Sequence, residues 1–84
     1  MGNVVLINRF EVPAGRDQEF LSLWLEVNHH MRAQPGYLAH QLHRAIGDPA
    51  SGRYVNTATW ESADALKAAR QTERFVALTS QPAF

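Results

Sequence analysis

Arg53-Tyr54-Val55-Asn56-Thr57-Ala58-Thr59-Trp60-Glu61-Ser62-Ala63 is the stretch that decides the fold. Val55, Thr57 and Thr59 are β-branched, and Tyr54 and Trp60 are aromatic, types that suit a pleated, half-buried surface. Strand side chains alternate, so Tyr54, Asn56, Ala58 and Trp60 share one face. Arg53, Val55, Thr57 and Thr59 share the other. Ser62 is a good N-cap, which predicts that the strand passes directly into a helix over Ala63 to Ala69.

Moving outward toward the N-terminus, Gly47-Asp48-Pro49-Ala50-Ser51-Gly52 is a loop of turn formers, and Tyr37 to Ala45 reads as a strand. The short gap makes these two strands a hairpin. Pro35-Gly36 stops a preceding helix that runs from about Asp17 to Ala33. In it Phe20, Leu23, Trp24, Val27, His30 and Met31 recur at three- and four-residue spacing and form one apolar stripe. Pro13-Ala14-Gly15 is a turn, and Val4 to Val12 is a further strand. Toward the C-terminus a second helical piece covers Glu73 to Leu78. The order is β-α-β-β-α, an α+β arrangement one strand short of the ferredoxin-like β-α-β-β-α-β pattern with its antiparallel sheet. Only Ser80 to Phe84 remain for the last strand, too few for a central one. That strand is therefore short, missing or supplied by a partner.

The 84 residues are read as one domain, 1–84. A unit of this size buries only about two-thirds of its unfolded surface and is marginal alone. With no cysteine, disulfides and thiolate metal sites are excluded, and a second subunit is the remedy left open. Eight basic and eight acidic residues cancel, and no basic run occurs, which argues against nucleic acid. No stretch is long and apolar enough for a bilayer, and no secretory signal is visible. The expected setting is the cytoplasm, with no membrane contact.

Val4, Leu6, Asn8 and Phe10 share a face of the first strand. Asn8 and Asn56 are thus each set among apolar neighbours. A buried amide must find partners; each is either a satisfied core amide or a polar group held for a ligand in an apolar pocket. His29 and His30 are adjacent, about 100° apart on a helix, and are not expected to line one pocket together. His30 lies at the edge of the apolar stripe, as a pocket base or as a half-buried residue with one hydrogen bond. His40 and His43 fall on opposite strand faces, one toward the helices and one toward a partner. No histidine pair has metal spacing, so no metal site is expected. Trp24 is most simply a core residue, and it also stands as a candidate pocket wall together with Phe10 and Tyr54.

Three segments carry a resemblance: Asn8 to Gly15, Gln34 to Leu38, and Val55 to Ala63. In this order and spacing they are similar to the antibiotic biosynthesis monooxygenase family, over about Val4 to Leu78. The resemblance implies a homodimer, with two sheets facing each other as a dimeric α+β barrel and a pocket between sheet and helices. One branch that this chain resembles oxidises phenolic, quinol-like or aromatic polyketide substrates with O2 and no cofactor. There the positions matching Asn56 and Trp60 are implicated in catalysis. Its pocket tyrosine corresponds to Leu66, and its later pocket arginine has no clear match; Arg70 and Arg74 are nearby and read as surface residues. A second branch degrades haem with an asparagine matching Asn8, a tryptophan at Ala69 and a histidine near Leu78 or Thr79. The last two are absent, so this is the least favoured reading. The expected catalytic pair is Asn56 and Trp60, with Asn8, Phe10, Trp24, His30, Tyr54 and Leu66 around the substrate. The alternative is a non-oxidative cyclase, isomerase or binder of a small apolar molecule.

Overall fold

A computed structural model describes residues 2–46 and 52–81. The elements are β1 (Val4–Glu11), α1 (Asp17–Met31), β2 (Tyr37–Arg44), β3 (Arg53–Trp60), α2 (Ala63–Arg70) and α3 (Glu73–Thr79). All six appear where the sequence places them. The loop expected at Gly47 to Gly52 lies outside the described residues apart from Gly52, and so does the end of the expected last strand, residues 82–84. Ser80 closes α3 as its C-cap and begins no strand.

The three strands form one antiparallel sheet in the order β1-β3-β2. The sheet separates two chemistries. In β3, Tyr54, Asn56, Ala58 and Trp60 are all buried, and Val55, Thr57 and Thr59 between them are partly exposed. Their face meets the helices. Val27 and Met31 of α1, Ala69 of α2 and Leu78 of α3 pack with Ala58 and Trp60. A second cluster, Val12, Phe20 and Tyr54, fills the other end of the strands. Asn56 sits in β3 between these two clusters. On the opposite face Val5 and Ile7 remain 60% and 65% exposed.

Local signals explain the ends of the helices. The Ser62 hydroxyl accepts from the Ala65 N–H at 3.1 Å, as the N-cap reading requires. Thr72 does the same for Phe75 at 3.3 Å. Gly36 has φ +88°, and a Cβ there would come within 2.5 Å of the Ala65 Cβ. Only glycine allows α2 to approach the start of β2 so closely. Immediately beyond it the β2–β3 ladder slips: Tyr37 pairs with Trp60, whereas Ala39 pairs with Thr59, which leaves Leu38 as an extra residue. This bulge re-aims the side chains at the head of β2.

Candidate active site

Asn8 and Asn56 are directly paired across β1 and β3, which brings two amides together at the centre of the helix-facing surface. The Asn56 Nδ2 donates to Asn8 Oδ1 at 3.4 Å. Asn56 is buried, and its Oδ1 has no protein partner. Leaving a buried polar atom unpaired costs about 1–3 kcal/mol, and the protein itself supplies no partner for this one. Turning both amides exchanges the roles and leaves the same outcome. One carbonyl and one N–H group bond each other, and the pair still offers one acceptor and one donor.

A cavity of about 210 Å³ opens at this pair. Leu6, Phe10, Val27, Met31, Ala58 and Phe75 supply apolar wall. Asn8, Asn56, Asn28, Tyr37, Trp60, Arg70 and Thr79 bring polar atoms to it. An apolar chamber with a few convergent polar groups is the usual build of a small-molecule site.

Of the residues singled out in the sequence, Asn8, Phe10, Asn56 and Trp60 meet at this cavity. Tyr54, Trp24, His30 and Leu66 do not, each for a physical reason. Tyr54 is on the correct face but at the far end of β3. There it packs on Phe20 with ring centroids 5.0 Å apart and donates to Asp17 Oδ2 at 2.5 Å. That bond, with burial, holds its hydroxyl above the usual tyrosine pKa. Trp24 borders a separate open groove on the outer side of α1 and meets His40 edge-on at 5.2 Å. His30 borders the same groove, with Nε2 2.9 Å from Thr72 Oγ1. His29 also borders it, so the two adjacent histidines do share one depression. Leu66 lines a shallow depression between α2 and α3. His40 is half-buried, whereas His43 is exposed on the other face beside Thr57.

Several wall residues were not among the sequence candidates. Arg70 reads as surface and is exposed, yet it borders the cavity. Asn28 is buried, and its amide donates to the Trp24 carbonyl at 2.9 Å. It lies four residues past Trp24 and three before Met31, so helical spacing alone would have placed it on the apolar stripe. Of the positions matching the haem branch, Ala69 and Leu78 are buried in the core, and Thr79 lines the cavity. Among the described residues no group of three histidine, aspartate or glutamate side chains can hold a metal. No helix there is long and apolar enough to cross a membrane.

A model of the family described as antibiotic biosynthesis monooxygenase matches residues 3–80. The chain belongs to that family. Among solved structures it is similar to SnoaB, a cofactor-independent oxygenase from Streptomyces nogalater, with 30% identity and a TM-score of 0.84. The match covers 95% of this chain and 79% of SnoaB. A protein from Shewanella loihica PV-4, for which monooxygenase activity is only proposed, is 36% identical over 90% of this chain and 80% of its own, with a TM-score of 0.81. A Caulobacter crescentus CB15 protein proposed to be an antibiotic biosynthesis monooxygenase is 26% identical at a TM-score of 0.84, over 94% of this chain and 74% of its own. No curated protein matches the sequence. The α+β, ferredoxin-like reading of the sequence agrees with the fold of these neighbours.

Proposed function

We propose that the chain is a cofactor-independent monooxygenase that oxidises a phenolic, quinol-like or aromatic polyketide substrate with O2 in the cytoplasm. The observation that carries this reading is that Asn56, a buried amide whose Oδ1 has no protein partner, lines a cavity with aromatic walls. A phenol deprotonated in such a cavity is electron-rich enough to reduce oxygen itself. A ring C–H becomes a carbonyl, one oxygen atom stays in the quinone, the other leaves as water, and the substrate supplies all the electrons. Donor and acceptor atoms of the Asn8–Asn56 pair hold the substrate oxygen as charge develops on it, and Trp60 gives a flat wall. The likeness to SnoaB supports the reaction type.

The test is oxygen uptake by the purified protein with a panel of anthrones and hydroxynaphthalenes. One O2 consumed per quinone formed, with one labelled atom from 18O2 retained, is the expected result. Conversion of a substrate with no oxygen uptake would instead establish the cyclase or isomerase alternative.

We also propose that the working unit is a homodimer. Val5 and Ile7 on the face away from the helices leave an apolar surface on a domain too small to be secure alone. Light scattering at micromolar concentration should give twice the chain mass; a stable monomer there would rule the dimer out.

A further inference from the structure

We propose that Tyr37 and His40 form an acid–base pair that takes the phenolic proton out of the cavity; this rests on the phenol reading above. Tyr37 lines the cavity and meets Trp60 edge-on, with ring centroids 5.6 Å apart. Its hydroxyl is hydrogen-bonded to His40 Nδ1. His40 borders the separate groove outside α1 and lines no part of the cavity. The two side chains therefore bridge the chamber and an open surface.

Residues three apart on a regular strand point to opposite faces. Tyr37 and His40 share a face only because the bulge at Leu38 inserts one residue between them. Gly36, which accepts the close approach of Ala65, fixes the backbone just before it. Two departures from regular structure thus converge on one contact, as bulges beside active sites commonly do.

The chemistry follows from the atoms. In the relay Tyr37 is the donor to Nδ1, which requires the neutral ring to carry its proton on Nε2. A substrate hydroxyl gives its proton to the Tyr37 oxygen as the Tyr37 proton passes to Nδ1. The products are a bound phenolate, which accepts a hydrogen bond from Tyr37, and an imidazolium, which can release a proton to water in the groove. Burial, and secondarily the Arg32 charge, hold His40 below the ordinary histidine value, so it is neutral and able to accept at neutral pH. Glu26, His29, His30 and Arg74 are the other titratable groups bordering that groove. Tyr37 thereby gives the cavity a tyrosine from β2, whereas Leu66, at the position where the resemblance expected one, lies outside it.

The test uses 4-nitrophenol, which ionises near neutral pH and turns yellow. Binding is measured by equilibrium dialysis and ionisation by absorbance, at slightly acid pH where the free phenol is mostly neutral. Wild-type protein should bind it as the phenolate. Tyr37→Phe and His40→Asn should bind within a few-fold of wild type but hold the neutral form. The asparagine keeps an acceptor for the Tyr37 hydroxyl but cannot take the proton, so a merely structural bond would leave the colour unchanged. A phenolate band in both variants, or a neutral band in wild type, would overturn the relay while leaving the phenol reading in place. No binding by the wild type would overturn the phenol reading and the relay with it.

Discussion

Asn56→Ala is expected to lower turnover on an oxidisable phenol roughly 100-fold, about 3 kcal/mol of transition-state stabilisation, while the protein stays folded. Asn56 places a buried amide at the cavity and spends only one long hydrogen bond inside the protein. On the proposed reading alanine removes the amide that would meet the substrate oxygen, and it breaks only that one long bond to Asn8. Asn8→Ala does not serve as a neutral comparison, although the sequence suggests a role for that position only in the haem branch. The two amides are partners, so removing Asn8 frees the remaining one to turn. A smaller loss is expected from Asn8→Ala, and the double variant should be no slower than Asn56→Ala alone. Such non-additivity is the mark of two residues acting as one unit. Equal and small effects from both substitutions would remove the pair from the chemistry. A lowered melting temperature with unchanged turnover of the folded fraction would make Asn56 a structural amide.

Trp60→Ala is expected to be the most damaging single change to stability. Trp60 is 1% exposed and ties together Val27, Met31, Ala58, Ala69 and Leu78 from four elements. Emptying a site of that size costs about 3–5 kcal/mol. In a domain this small each kcal/mol shifts the melting temperature by roughly 4–8 °C, so most of the margin disappears. Trp60→Phe separates packing from chemistry. It keeps an aromatic ring against Tyr37 and loses the indole N–H. We expect it to retain most of the stability, measured by thermal denaturation at one fixed protein concentration. A Trp60→Ala protein that melts within a few degrees of wild type would show that the core does not depend on this ring.

The helix-facing surface was legible because period-two alternation in Arg53 to Trp60 is unbroken. Once its face was known, Asn8 and Asn56 followed, and they lie opposite each other in the register. The readings that failed needed information that periodicity does not carry. Tyr54 has the right parity, but α1 begins over it and takes its hydroxyl for Asp17. Tyr37 was hidden by the bulge, which breaks the parity rule for one step. Arg70, Phe75 and Thr79 reach the cavity because α2 and α3 fold over the sheet, and no local pattern states where a short helix will lie. Asn28 could have been found, since its spacing from Trp24 and Met31 sets it on the covered side of α1.

The cavity draws its walls from two kinds of scaffold. The paired amides, Ala58 and Trp60 come from strands held in place by neighbours on either side or by the core. Phe75 and Thr79 come from a seven-residue helix capped by Thr72. Exchanges on that helix can reshape the chamber without disturbing the hydrogen-bonded ladder beneath it. On the proposed reading, then, variation on α3 would change which molecule fits the chamber while the amide pair on the sheet stays in place.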